Sequence, residues 1–450
     1  MPTLPIRYEN TPLADRVPIV FFHIAVMGVF VSPEMSVSLF PVSITIGNSG
    51  IIRVDEVLTL ITVTYSFALL AYSNRYKLEL IISPQFLLSL IMGFIMVIST
   101  LYVTILQGVP LQFGSIFELL RWLTFIGFLG VLPIFISLKD AGSIIKFVIT
   151  LSFIISLFAI LQYIIGGYWT ELAKLYTNYP VSYRAAGVAK NPNYLAQLLI
   201  PGFLISYSLL ISWINSSKRD GNNQTSSGLY GFTSFLSVIT IGSAIIITYS
   251  RIALIGAITG VIVVTLVFTS NEEINELPGQ KIVSVLFIII IVLVLLFTQN
   301  DIQLGRYQTL LNISEAESLI KRLQIWNSIL PIISAKPIVG HGLTLYPIET
   351  QLGSPIVDSG LIRWIYHFGI AGFFIIVTLI FTILKMALHI TFRLSQSHII
   401  NRAGALGVIG FTVAFWPIWL FEPVIISDRT VVILIFLTTI IIGMFMRLSQ

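Results

Sequence analysis

Apolar stretches long enough to cross a lipid bilayer recur along the whole chain, and nothing else in the sequence constrains its fold as much. Ile282–Phe297 is one such stretch, without a single Asp, Glu, Lys or Arg. A bilayer core of about 30 Å needs roughly 20 apolar residues per helical crossing. Hydrocarbon offers no partner to a backbone N–H or C=O, so each stretch must satisfy its own backbone as a helix. The alternating pattern of a membrane barrel is absent. Composition agrees: 56% of residues are hydrophobic, 10% are charged, and the mean hydropathy is +0.95. A soluble domain carries about 25% charged residues. The expectation is an all-α, polytopic transmembrane helical bundle forming one integral membrane domain over residues 1–450.

Crossings are expected at 17–36, 56–73, 82–105, 115–138, 144–165, 193–214, 230–249, 252–269, 281–298, 361–386, 403–421 and 429–447, about 12 spans. The polar opening, Met1–Arg16, lacks the small-residue cleavage pattern of a signal peptide. Lys and Arg favour cytoplasmic loops. With the N-terminus inside, the inner segments hold 13 of the 25 basic residues. Eight of the remaining 12 fall in two outer segments: Lys174, Arg184 and Lys190, then Arg306, Lys321, Arg322, Lys336 and Arg363. Elsewhere the outer side holds only four, Arg53, Arg121, Arg251 and Arg429. The one long extracytoplasmic loop, 299–360, shows helical spacing of Leu319, Leu323, Trp326, Ile329 and Leu330, as of a helix lying on the membrane surface.

The spans contain few ionisable groups, which argues against a conduction pathway through the bilayer and for binding or chemistry at the outer interface. Four outer clusters stand out. In the first, Arg184 precedes Asn191-Pro192-Asn193, where Asn191 fits a helix N-cap. In the second, Arg251 lies in the tight turn Thr248-Tyr249-Ser250-Arg251 between two spans. The third holds Arg322, Trp326 and the turn Gly340-His341-Gly342, whose glycines allow close backbone approach. In the fourth, Asp358 and Arg363 flank the mouth of a span. Taken singly, each reads as a capped loop or an interfacial anchor. Together they bring Arg184, Arg251, Arg322 and Arg363 to one face, where guanidinium forks suit phosphate or carboxylate. The chain has no cysteine, no second His stands at metal-ligand spacing, and no basic patch suggests nucleic acid. No metal and no cofactor are expected.

In order and spacing these clusters resemble the O-antigen polymerase and O-antigen ligase superfamily of polysaccharide assembly, the Wzy type. Four features carry the resemblance. They are Arg184…Asn191-Pro-Asn193-x-Leu-Ala; Ser250-Arg251-x-Ala-Leu-Ile-Gly256; Arg322-x3-Trp326…Pro337-x2-Gly340-x-Gly342; and Asp358-Ser-Gly-Leu-x-Arg363…Gly369-x-x-Gly372. The resemblance implies a GT-C-like helical glycosyltransferase of the cytoplasmic membrane, with its site on the extracytoplasmic side. Its donor would be a glycan on a polyprenyl (undecaprenyl) diphosphate. Ligases of the family typically carry a His-Asn or similar His-containing motif just before the span that follows the long loop. Here that place reads Val357-Asp358-Ser359-Gly360, more like the repeat-unit polymerases.

The function expected is polymerisation of lipid-linked repeat units into O-antigen or exopolysaccharide for the cell envelope. Alternatives are ligation to another acceptor, or transport of the lipid-linked glycan. Arg251 and Arg322 would stabilise the diphosphate leaving group, with Asp358 as base or acceptor orienter. Arg184, Arg363, Asn191, Asn193, His341 and Trp326 would bind substrate; Glu315, Glu317 and His341 are secondary candidates for the base. Expected partners are the bilayer and the lipid-linked oligosaccharide, with a flippase and a chain-length regulator as candidate protein partners.

Overall fold

The computed structural model of the chain describes residues 13–31, 54–72, 84–108, 119–120, 123–124, 127–165, 184–187, 189, 191–216, 224–270, 317–343, 359–394, 398–422 and 429–449. Most of these residues are helical, with no strand among them. The long helices are α1 (Leu13–Val31), α2 (Val54–Tyr72), α3 (Pro84–Gln107), α4 (Leu138–Ile165), α5 (Pro192–Ser216), α6 (Gln224–Ile247) and α7 (Arg251–Thr269). They continue with α8 (Glu317–Ala335), α9 (Gly360–Arg393), α10 (Ile399–Phe421) and α11 (Arg429–Leu448). Six of them, α4, α5, α7, α9, α10 and α11, are long and apolar enough to cross a membrane. Phe94, Ile105, Ile164, Leu266, Phe374 and Phe381 point outward, 61–73% exposed. Such a surface suits lipid rather than water. The chain is a multi-pass membrane protein.

Helices α5 and α10 form the centre. The apolar window of α5 is wholly buried inside the protein, and α10 packs against α5, α7, α9 and α4. Lipid tails are as apolar as Leu, so helices in a bilayer associate through close packing, which small residues permit. Here α7 contributes Gly256 and Gly260, and α10 contributes Gly407, Gly410 and Ala414. A Cβ at Gly260 would lie 3.1 Å from the Gly410 carbonyl oxygen, and one at Gly410 would lie 3.0 Å from the Gly260 carbonyl. A Cβ at Gly407 would stand 2.7 Å from the Cα of Ile205 on α5. Backbone meets backbone on both sides of α10, and no rotamer change can relieve an added side chain.

Two expected spans are interrupted. The stretch 115–138 is not one continuous helix: helical residues 127–131 give way to a 3-10 turn, Leu132–Phe135, at Pro133. Proline has no N–H to extend an α-helix. The chain restarts in α4 at Leu138, earlier than the expected 144. There Ser137 and Asp140 cap reciprocally: the Ser137 N–H donates to Asp140 Oδ2 at 3.2 Å, and the Asp140 N–H donates to Ser137 Oγ at 3.2 Å. The expected span 361–386 lies within α9, but α9 breaks at Gly369. The expected span 281–298 and the acidic candidates' neighbourhood around Glu315 lie outside the described residues.

Replacing Gly410 by Val should destabilise the bundle by about 1–3 kcal/mol, the usual cost of overpacking. Thermal unfolding of the purified protein in detergent, compared with an outward Leu266→Val control, checks this.

Candidate functional site

The ends of α4, α5, α6, α7, α9 and α10 meet at one pole of the bundle, with α8 laid against them, and most of the expected site residues lie there. Arg184 sits in the turn leading to α5. That turn is fixed by three hydrogen bonds to two helices: the Ala185 N–H donates to the Ile247 carbonyl at the end of α6 (3.1 Å), while the Ala186 and Gly187 N–H groups donate to Gln162 Oε1 of α4 (3.2 and 2.8 Å). Asn191 caps α5, accepting the Tyr194 N–H on Oδ1 at 3.0 Å. Its side chain therefore organises the helix start.

Arg184 then reaches two neighbours. Nε donates to the Thr248 carbonyl at 2.7 Å, and Nη2 donates to Asn193 Oδ1 at 2.6 Å. Thr248 belongs to the α6–α7 turn, in which Tyr249 takes a positive φ of 52° and its hydroxyl meets Tyr163 at 3.0 Å. This turn presents half-buried Arg251 as the first residue of α7. The Asn193 amide nitrogen donates onward to Glu422 Oε1 at 3.3 Å. The same oxygen lies 3.8 Å from Arg322 Nη2. Arg184, Asn193, Glu422 and Arg322 thus form one connected polar network drawn from three distant stretches of sequence.

Glu422 was not among the residues singled out from the sequence. It directly follows α10 and is only 6% exposed. Its carbonyl accepts the Gly360 N–H at 2.8 Å, tying the start of α9 to the end of α10. The signal was present in Phe421-Glu422-Pro423: a carboxylate at a helix C-terminus faces the negative end of the helix dipole. Buried there, it requires cationic partners, and arginine supplies one.

Helix α8 explains how the long loop reaches this pole. Residues four apart share a helix face. Arg322 lies on Glu422, and Trp326, one turn on, stacks on Phe421 with centroids 6.0 Å apart. Ile329 continues the same face and is fully buried against Tyr366 of α9. Leu323 and Leu330 are 46% and 53% exposed.

After α8 the turn 336–343 docks into the break of α9. A continuous helix would pair the Tyr366 and His367 carbonyls with the Ile370 and Ala371 N–H groups. Instead, the two N–H groups donate to the Pro337 and Ile338 carbonyls at 2.8 and 3.3 Å, and the two carbonyls accept from the His341 and Gly342 N–H groups, both at 2.8 Å. Gly369 adopts φ 64°, ψ −166° at the break, and a Cβ there would fall 2.2 Å from the Ile338 carbonyl oxygen. The two glycine features read separately in the sequence, Gly340-x-Gly342 and Gly369, are halves of one joint.

His341 belongs to this joint. Its ring stacks on Tyr366, 4.6 Å between centroids and 7° from parallel. Burial lowers its pKa, the Ile332 carbonyl contact opposes that, and Lys336 lowers it further. The Ile332 carbonyl, 2.9 Å from Nε2, can only accept, so the neutral ring carries its proton on Nε2. Immediately after Tyr366 on α9, His367 Nδ1 donates to the Gly342 carbonyl at 2.6 Å. Arg363 is half-buried one turn into α9, with its N–H on the Ser359 carbonyl at 3.1 Å, between the polar network and the glycine joint. Asp358 lies outside the described residues; its neighbour Ser359 caps α9 through Oγ, accepting the Ile362 N–H at 3.3 Å. Among the described residues no three His, Cys, Asp or Glu side chains gather as a metal site.

The fold and site define a polytopic helical membrane protein with a cluster of arginines around one pole. Residues 236–377, about a third of the chain, match a family model described as O-Antigen ligase. The match runs from α6 through the first half of α9 and supports the resemblance to the O-antigen ligase and polymerase superfamily. No curated protein matches the chain.

Gly369→Ala should cost about 1–3 kcal/mol, because this backbone region is nearly exclusive to glycine. Hydrogen exchange should quicken at the His341 and Gly342 amides, whose acceptors are the carbonyls exposed by the break.

Proposed function

We propose that this protein polymerises polyprenyl-diphosphate-linked oligosaccharide repeat units at the outer face of the cytoplasmic membrane. In this reading the chain crosses the membrane about twelve times in a GT-C-like arrangement, a count drawn from the apolar stretches of the sequence. The growing chain on its lipid diphosphate is the donor. A sugar hydroxyl of a new lipid-linked unit is the acceptor.

The hydroxyl oxygen attacks the donor's anomeric carbon, and the bond from that carbon to the phosphate oxygen breaks. The bonding pair leaves on the polyprenyl diphosphate, and the hydroxyl proton passes to a base. The chemistry needs positive charge at the leaving group and a carboxylate at the acceptor. Arg184, Arg251 and Arg322 take the first role, assisted by Arg363, and Asp358 takes the second. The observation that carries this reading is the convergence of Arg184 and Arg322 on one Asn193–Glu422 pair, beside the turn that presents Arg251. Guanidinium groups held at fixed positions need no reorganisation when charge develops on a leaving diphosphate. The aromatic faces of Trp326 and its neighbours suit a sugar ring next to that charge.

The matched family's description favours a second reading, transfer of the finished glycan to a different acceptor. Products separate the two. Purified protein in liposomes, given a short polyprenyl-diphosphate-linked repeat unit and no nucleotide sugar, should yield a ladder at multiples of the repeat. Transfer without lengthening would establish ligation instead, and no transfer at all would leave transport of the glycan. Arg251→Ala should cut the rate by about 10²–10³, as loss of one charge-stabilising donor does, at unchanged protein level in the membrane. Chains of normal length and yield from Arg251→Ala would rule out its role.

A further inference from the structure

Glu422 is a buried carboxylate with no place in the transfer chemistry just described, yet the arginine network runs through it. We propose that Glu422 is a positioning residue that fixes two of the arginines at one anion site; the inference rests on the glycosyl-transfer reading and names the residue that assembles its site.

An ionised carboxylate only accepts hydrogen bonds, so Asn193 must turn its amide nitrogen toward Glu422 Oε1. The same rotation leaves Asn193 Oδ1 facing the other way, and a guanidinium only donates, so Arg184 Nη2 binds there. Glu422 therefore dictates the sense of the amide, and the amide dictates where Arg184 is held. Reversing the Asn193 amide would set two acceptors and two donors against each other.

Arg322 is held directly. Its Nη2 stands 3.8 Å from Glu422 Oε1. A charge-assisted hydrogen bond measures about 2.7–2.9 Å, so at 3.8 Å this contact acts as an ion pair that draws Arg322 inward. The stack of Trp326 on Phe421 sets the approach of α8 from the next turn. Helix α8 comes from the long loop, far in sequence from α5, and Glu422 is where the two meet. The carboxylate itself is anchored through its backbone: its N–H donates to Ile418 at 2.9 Å and its carbonyl accepts from Gly360 at 2.8 Å. A post fixed to α10 and α9 thus orients an arginine on each side.

Two substitutions separate the roles. Glu422→Gln keeps an oxygen for Asn193 but removes the charge that draws Arg322. Glu422→Ala removes both. Binding of a short-chain prenyl diphosphate to the purified full chain is measured alongside lengthening of a lipid-linked repeat unit. Glu422→Gln should weaken diphosphate binding about tenfold, in the range of coupling between contacting residues. Glu422→Ala should cost about 10²-fold, as misplacing a group by an ångström can. In an Arg322→Ala background, Glu422→Gln should cost less than twofold further, whereas a merely structural loss would be the same in both backgrounds. If Glu422→Ala fails to accumulate in the membrane, the Glu422→Gln cycle decides alone. Binding within twofold of wild type in the Glu422 variants, or equal losses with and without Arg322, would overturn the positioning role. Wild-type protein that binds the diphosphate but lengthens nothing overturns the polymerase reading and leaves the binding cycle to judge Glu422. Wild-type protein that binds no diphosphate overturns both.

Discussion

A backbone N–H or C=O left facing hydrocarbon costs several kcal/mol, and the architecture answers to that cost at every level. It makes the apolar stretches helical. It also governs what can happen when a helix is broken, as α9 is at Gly369. Two carbonyls and two N–H groups lose their usual partners there, and the turn after α8 supplies a partner to each of the four. The long loop is therefore part of the membrane domain's hydrogen-bond accounting. A loop that merely lay on the surface would leave the break unsatisfied.

The same helix links that joint to the polar pole. The first N–H of α9 bonds to the Glu422 carbonyl, Arg363 follows one turn later, and the break accepts the Gly340–Gly342 turn after that. The loop helix α8 touches both ends of this stretch, with Arg322 and Trp326 at the pole and Ile329 on Tyr366. Positions of charges at the pole and backbone pairing at the joint are thus coupled through two helices. Rigid supports of this kind keep a guanidinium where charge will develop.

Much of this was legible in the sequence. Apolar length identified most of the described helices, because a span in lipid must be continuous and uncharged. The helix over 317–335 was legible from its spacing, and Asn191 as a cap from its Asn-Pro context. Pro133 shows the limit: a hydropathy window averages over a proline that the backbone cannot ignore. Gly369 shows another, since nothing local distinguishes a glycine at a break from one at a helix contact such as Gly410. Glu422 escaped notice because one carboxylate beside an apolar helix resembles an interfacial residue until its partners are known.

The sequence by itself determined the solvent, the helical class, the positions of most helices and the residue types available for binding an anion. These follow from local properties: apolar length, charge and proline or glycine placement. Only the tertiary structure decided that Arg322 pairs with Glu422, that Asn193 links Arg184 to the same carboxylate, and that Gly340, Gly342 and Gly369 close a single joint. The residues concerned lie 9 to 229 positions apart, and no local pattern encodes which of them meet. That choice is made by packing, where glycine faces let α7, α10 and α5 approach backbone to backbone and bring their ends to one pole.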